Sequence, residues 1–429
     1  LPWATPCDVA FLARGRAGWR CLRVKILPPV EVAAAAAART PRVCFLYLAQ
    51  AHQVLHSLSV AVHLARSRPD LRVDVAATSA ALLERARMMV TMMGGAPLHW
   101  RLLGPAWLRR LGRDGAAPPK LPMLAANART LGGYDVIVAP ERTTVALRSL
   151  GVRSKLVYTQ HGAGDRAGPF EPRLGRFDLV FAAGAKQRDR MVAQGLVTRD
   201  QCAVVGYPKF DLVDTLGRAP LQLFADDRPV VLYNPHFSPK LGSWPAWGLD
   251  ILRAFAAQRR FNLIFAPHLR LFGGAEPGAV RELAPFVGLP GIHIDLGGSF
   301  AAIDMSYAQA ADIYLGEVSS QVYEFLREPR PCLFLNAHGR TWRADESHRH
   351  WTYGPVIDDV GDLMPGLERA LASHAGYRAT QVEGFDYTFD LAGASSSARA
   401  AEAVARLAVA PPAGQQADSP AAVKMSIAR

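Results

Sequence analysis

Cysteine is scarce: five residues in 429, at positions 7, 21, 44, 202 and 332, odd in number and without a C-x-x-C pair. That excludes a disulfide scaffold and a zinc ribbon, and it suits a reducing compartment. Long apolar runs are lacking too. Stretches such as 43–49 and 263–267 are strand-sized, far short of the ~18 residues that a spanning helix needs, so any membrane contact is expected to be peripheral. Dense charge of one sign is also missing. The net charge of +12 is spread thinly, with no run of five basic residues, which argues against a nucleic-acid groove and for a solvated basic surface or weak attraction to an anionic membrane face. No H-E-x-x-H, G-x-S-x-G or P-loop pattern occurs, and the His348, His350 pair is too isolated to argue for a metal site.

Hydrophobic residues make up 50% of the chain and charged residues 20%, enough for two cores of ordinary domain size. Residues 1–40 carry six Lys/Arg against Asp8 and Glu31 and end near an alanine run at 33–38. They lack the order of charge, apolar stretch and cleavage site of a secretory leader, and read as a mobile extension that need not be native. From Pro41 the pattern alternates. Strands are expected at 43–48, 71–77, 135–139, 155–159, 179–182 and 202–205, with helices at 53–67, 143–150 and 186–194. Residues 213–228 read as a linker, after which strands are expected at 230–233, 262–265, 292–295, 313–315 and 332–335, with helices at 247–258, 306–311 and 321–327. Such alternation predicts parallel sheets covered by helices. It divides the chain into a first Rossmann-like domain at 41–222 and a second at 228–394, followed by a closing helix at 395–410 and a disordered tail at 411–429.

In open parallel sheets, ligands sit beyond the carboxyl ends of the strands, so the turns after strands hold the candidate residues. The first is Gln160-His161-Gly162-Ala163-Gly164, where a cleft-facing histidine suits proton removal from an acceptor hydroxyl. A histidine bonded only to backbone fits the same position, and Gly162, Gly164 and Gly168 have the wrong spacing for a dinucleotide fingerprint. The second, Asn234-Pro235-His236-Phe237-Ser238, either offers polar groups to a nucleotide or is an ordinary Asn-Pro turn. In the third, His268 and Arg270 suit a diphosphate, or are simply solvated. The fourth, Gly316-Glu317-Val318-Ser319-Ser320, leads into the helix at 321–327. Its serines would cap that helix and its backbone N–H groups would hold a phosphate, with Glu324 accepting from ribose hydroxyls or salt-bridged at the surface. The loop at 342–351, carrying Arg343, His348 and His350, is expected to cover the cleft.

In this order, Gln160-His161-Gly162, Gly206-Tyr207-Pro208-Lys209-Phe210-Asp211, Tyr233-Asn234-Pro235, His268, Ala311-Asp312, Ser319-Ser320, Tyr323-Glu324-Phe325 and Arg330-Pro331 resemble the CDP-glycerol glycerophosphotransferase family, which builds teichoic acids and related capsular polymers. The likeness spans about 134–371. It implies a GT-B-type α/β fold, two Rossmann-like parallel-sheet domains facing a cleft. It also implies His161 as the base on the acceptor hydroxyl, His268 as a donor to the phosphate, and Ser319 and Ser320 on the diphosphate. Asn234, His236, Ser238, Arg270, Glu317 and Glu324 are then expected on the donor side, and Gln160, Gly162, Gly164 and Lys209 on the acceptor side.

The implied reaction moves glycerol phosphate or a related polyol phosphate from a CDP-activated donor to a hydroxyl of a cell-envelope polymer, glycan or lipid-linked acceptor. It would run at the cytoplasmic side, with peripheral membrane contact, no cofactor or metal, and no nucleic-acid partner. The chain departs from the family at four positions: Glu317 replaces an Asp, Leu269 a Pro, and His236 and Ser238 a Thr and an Arg. A GT-B glycosyltransferase or epimerase acting on a nucleotide sugar therefore stays open, as does a non-catalytic nucleotide- or polymer-binding protein.

Overall fold

The computed structural model describes residues 8–15, 18–25, 39–112, 117–166, 168–217, 221–273 and 275–409. The chain divides into two bodies, Leu1–Thr40 and Pro41–Arg429. In the first, β1 (Asp8–Gly15) and β2 (Gly18–Lys25) pair as an antiparallel ribbon, from Asp8 opposite Lys25 to Gly15 opposite Gly18. A ribbon thus stands where the sequence predicts a mobile extension. Pairing two extended segments gives their backbone groups ladder partners that a lone segment lacks.

The second body contains two parallel sheets. Strands β3 (Arg42–Tyr47), β4 (Arg72–Ala77), β5 (His99–Leu102), β6 (Val136–Ala139), β7 (Lys155–Tyr158), β8 (Leu179–Ala182) and β9 (Cys202–Val204) run in the order β5-β4-β3-β6-β7-β8-β9. Strands β10 (Val230–Tyr233), β11 (Asn262–Phe265), β12 (Ile292–Ile294), β13 (Ile313–Gly316), β14 (Cys332–Leu335) and β15 (Val356–Ile357) run in the order β12-β11-β10-β13-β14-β15. Each sheet starts in its middle, grows to one edge, then returns to the other side of its first strand. The reversal opens a crevice between β3 and β6, and another between β10 and β13, at the carboxyl ends of the strands. Because helices cover both faces, segments such as Val136–Ala139 and Asn262–Phe265 are buried throughout instead of alternating.

Alternate strand residues feed different cores. Cys44, Leu46 and Ile137 pack on one face of the first sheet, and Val231, Tyr233 and Leu263 on one face of the second. Val43, Phe45 and Val138 on the opposite face of the first sheet join Leu232, Ile264 and Phe334 of the second in one continuous cluster that includes Tyr207, Phe210 and Tyr323. The lobes therefore share an apolar core.

The helix Leu363–Thr388 lies against β14 and β15 and reaches the helix Ala185–Ala193 of the first lobe. The sequence gives little sign of it: three glycines interrupt its pattern, and a Cβ on Gly384 would overlap the Tyr353 hydroxyl. The helix Ser396–Val409 then packs onto the helices Leu58–Ser67 and Pro208–Leu216 of the first lobe. There the Ser397 hydroxyl meets that of Ser59 at 2.8 Å, and Ser396 Oγ accepts from the Tyr207 N–H at 2.9 Å. The helix Pro208–Leu216 also runs into the stretch expected to be linker, and the tail at 411–429 lies outside the described residues. No described helix is long and apolar enough to cross a membrane.

Both lobes repeat one device beneath the crevice. Tyr47 ends β3 and its hydroxyl lies 2.9 Å from Ser57 Oγ; Tyr233 ends β10 and lies 2.8 Å from Ser243 Oγ. A buried carboxylate follows the neighbouring strand in each case. Glu141 accepts from the Leu48 N–H, and Glu317 from the N–H groups of His236 and Ser243. Burial raises both carboxyls to about 7. Each glutamate holds the turn after its sheet's first strand in place.

Candidate active site

Between the carboxyl ends of the two sheets lies a cavity of about 210 Å³. Its wall carries His161, Gln160, Gly162, Gly164 and Lys209 from the first lobe, and His236, His268, Arg270, Ser319, Ser320 and Glu324 from the second. Asn234, Ser238 and Glu317 are not on it. The Asn234 amide donates to the Ala266 carbonyl at 2.6 Å, fastening the turn after β10 to the turn after β11. Ser238 accepts from the Leu241 and Gly242 N–H groups through its carbonyl, closing a turn, and Glu317 lies beneath the loop it braces. A polar residue after a strand is legible in the sequence; whether it points up to a ligand or down into the turn is not.

The two catalytic candidates have complementary free nitrogens. His161 Nδ1 lies 2.8 Å from the Pro140 carbonyl, which only accepts, so Nδ1 carries the proton and Nε2 keeps its lone pair. His268 Nδ1 accepts from the Arg270 N–H at 3.2 Å, so its proton sits on Nε2. Burial lowers both to about 4, leaving them neutral near pH 7. One imidazole is thus set to take a proton, the other to donate a hydrogen bond.

The charge on the wall is unbalanced. Its carboxylates are Asp165 and Glu324, and both are engaged. Glu324 receives Lys209 Nζ at 2.8 Å on each oxygen and the Tyr207 hydroxyl at 2.7 Å on Oε1, a salt bridge buried inside the protein and not at its surface. Asp165 receives Lys186 Nζ at 2.6 Å, the Tyr323 hydroxyl at 2.6 Å and His350 Nδ1 at 2.9 Å. Among the described residues Arg166 and Arg270 have no carboxylate partner. Arg270 lies over the Phe237 ring at 3.9 Å, and Arg166 faces His236 Nε2. That last contact is frustrated: His236 Nδ1 already accepts from the Ser238 N–H, and a neutral imidazole accepts on only one nitrogen. Burial and the nearby guanidiniums of Arg270 and Arg142 pull Arg166 down from its usual value. An anion between Arg166, His236 and Arg270 would satisfy all three.

The two lobes touch through the loops that carry these groups. Gly162 has φ +139°, and a Cβ there would lie 3.0 Å from Ser320 Oγ; a Cβ on Gly164 would lie 3.3 Å from Ser320 Cα. Gln160, at φ +24°, is held by Gln187, whose amide donates to Gln160 Oε1 and to the Gly162 carbonyl, each at 3.0 Å. Gly162→Ala is expected to cost about 1–3 kcal/mol in urea unfolding, from backbone strain together with the Ser320 contact. Adding Ser320→Gly should recover the contact part only; an unchanged midpoint in the single variant would refute the close approach.

The expected serine cap is arranged differently. The helix Gln321–Phe325 has five residues, Ser320 makes no side-chain cap, and it is Ser319 Oγ that accepts from the Gln321 N–H at 3.2 Å. So short a helix contributes little dipole, and the phosphate argument rests on free N–H groups and hydroxyls. The loop expected to cover the cleft is a wall: in the 3-10 segment Glu346–Tyr353 the side chains of His350, Trp351 and Tyr353 are buried. His350 Nε2 and Trp351 Nε1 both donate to the Glu317 carbonyl, at 2.5 and 2.8 Å, fixing the loop that bears Ser319.

His350, from the loop expected over the cleft, lines the cavity, and so do Gln50, His52, His56, Asp165 and Arg166, which the sequence does not single out. Asp165 and Arg166 lie one and two residues past Gly164, and Gln50 to His56 follow β3, a central strand whose turn carries none of the four candidate motifs.

No protein-family model matches the chain, and no curated protein matches it by sequence. Solved structures do. The wall teichoic acid polymerase TagF, in a histidine-to-asparagine variant, is 11% identical with a TM-score of 0.55, covering 86% of this chain and 88% of that one. The calicheamicin glycosyltransferase CalG4 is 16% identical with a TM-score of 0.51, covering 87% and 100%. The UDP-GlcNAc 2-epimerase from Neisseria meningitidis, bound to UDP-GlcNAc, is 10% identical with a TM-score of 0.50, covering 85% and 99%. With its two parallel sheets and these neighbours, the chain has a GT-B-like fold.

Proposed function

We propose that this protein is a transferase that binds a nucleotide-activated donor in the cleft and moves its phospho-polyol, glycerol phosphate or a relative, from a CDP carrier to a hydroxyl of a cell-envelope polymer or lipid-linked acceptor. One observation carries the reading: Arg166 and Arg270, without carboxylate partners among the described residues, flank the cavity that His161 and His268 enter with opposite hydrogen-bonding character. Two guanidiniums at one wall suit a diphosphate, which accepts their forked donors in pairs.

In this mechanism the acceptor hydroxyl gives its proton to His161 Nε2 as its oxygen attacks the donor phosphorus. The bond from that phosphorus to the bridging oxygen breaks and CMP leaves. His268 Nε2–H and the guanidiniums stabilise the charge on the phosphoryl and leaving oxygens, which accounts for most of the catalysis in such displacements. The polyol-phosphate choice rests on the motif resemblance and is supported by TagF, whose name is that of a wall teichoic acid polymerase.

A second reading keeps the cleft and changes the bond: a nucleotide sugar loses its sugar and a nucleoside diphosphate departs. The substitutions at Glu317, Leu269, His236 and Ser238 favour it, as do the glycosyltransferase and epimerase neighbours. Incubation with CDP-glycerol, CDP-ribitol and UDP-GlcNAc separates the readings. CMP release supports polyol-phosphate transfer, UDP release supports glycosyl transfer, and tight nucleotide binding without turnover of any donor points to a binding protein. The acceptor would be met at the cytoplasmic face of the membrane. The exposed Trp107 and Leu111, beside Arg109 and Arg110 in the sequence, suit peripheral contact with an anionic surface.

A further inference from the structure

We propose that the first-lobe wall of the cleft is a subsite for an uncharged polyhydroxyl group, a sugar or polyol carrying the reacting hydroxyl, and that His52 binds a hydroxyl neighbouring the one that reacts. The inference rests on the transferase reading and names what that transferase accepts.

The two walls differ in kind. On the second-lobe side, Arg270 and, reaching across, Arg166 offer positive charge with no carboxylate partner among the described residues. On the first-lobe side stand Gln50, His52, His56, Gln160 and His161, while the nearby Lys209 is neutralised by Glu324. Burial, with the nearby charges of His161 and Lys209, holds His52 and His56 well below the usual imidazole range, so near pH 7 they are neutral. A neutral imidazole offers one donor and one acceptor, and an amide offers both, which is the mixture that a ring of hydroxyls requires. Lys209, the lysine on this wall, is already paired, so a phosphate or carboxylate held by these neutral side chains would find little to compensate its lost solvation.

An independent observation singles out His52. Its Nδ1 is buried and has no hydrogen-bond partner among the described residues. Its ring stands edge-on to that of His161, with centroids 6.3 Å apart. A polar atom left unpaired in the free protein, on a ring that lines the cavity beside the base, fits a group that a ligand completes once the ring turns to meet it. Two hydroxyls on adjacent carbons could engage both rings, one giving its proton to His161 and the other bonding His52.

Saturation-transfer NMR tests this on the full chain with ribitol and methyl glucoside as neutral probes and glycerol 3-phosphate as an anionic one, without nucleotide and again with saturating CDP. Both neutral probes should bind in either condition, and His52→Leu should weaken them by about fivefold or more while CDP affinity by calorimetry changes less than about twofold. His52→Gln, which keeps a donor and an acceptor, should restore part of the loss. CDP should displace glycerol 3-phosphate from the cationic wall. Neutral probes that fail to bind, that bind His52→Leu as well as wild type, or that are outcompeted by glycerol 3-phosphate with CDP in place would each overturn the proposal. Failure of CDP to bind would count against the donor reading alone, because the neutral probes are also read without it.

Discussion

His161→Ala is expected to lower turnover by about a hundredfold or more with little change in donor affinity, the usual magnitude for loss of a positioned acid-base group. The ring is already in the tautomer the step needs, because the Pro140 carbonyl holds the proton on Nδ1 and leaves Nε2 open. Burial lowers the ring from 6.5 to about 4, so the basic form persists down to that pH. The acidic limb of kcat/KM should therefore fall near pH 4 and not near 6.5. The same shift ties folding to pH: between 6.5 and 4 the unfolded chain binds a proton at this residue that the folded chain refuses, so its contribution to stability declines as pH falls through that window. His268→Ala should cost a similar factor without moving the acidic limb, since its part is to donate through Nε2–H. Wild-type turnover in His161→Ala with an intact thermal melt would remove the mechanism.

Arg166→Ala and Arg270→Ala should each raise the Kd for CDP or UDP by about tenfold to a hundredfold, the range of ~1.5–3 kcal/mol for a charge-assisted hydrogen bond at ~1.4 kcal/mol per decade. The two variants should differ in the free protein. Removing Arg166 relieves its opposition to His236 and its repulsion by Arg270 and Arg142, so ligand-free Arg166→Ala should melt no lower than wild type. Arg270 instead covers Phe237, and its removal should cost some stability through lost ring contact. Calorimetry at two salt concentrations gives the affinities, and differential scanning gives the melts. Unchanged nucleotide affinity in both variants would mean that the anion lies elsewhere.

The sequence was informative where a residue's role depends on its neighbours in the chain. Strands Val230–Tyr233, Asn262–Phe265 and Cys332–Leu335 could be placed from apolar runs alone, because a strand buried on both faces advertises itself. The helix Leu363–Thr388 could not. Its glycines make room for Tyr353 and Leu333 in space, and along the chain they look like loop.

By itself the sequence determined two parallel α/β lobes and named the turns after their strands, with His161 and His268 among them, as the candidate site. Only the tertiary structure decided which polar side chains turn toward the cavity and which brace it: Asn234 and Glu317 inward, Arg166 and His52 onto the wall. It alone paired Lys209 with Glu324, and Asp165 with His350, across more than a hundred residues. The reason is physical. Periodicity and turn chemistry are set over a few neighbouring residues, whereas the charge left over in a cleft depends on which distant partners fold close enough to cancel it.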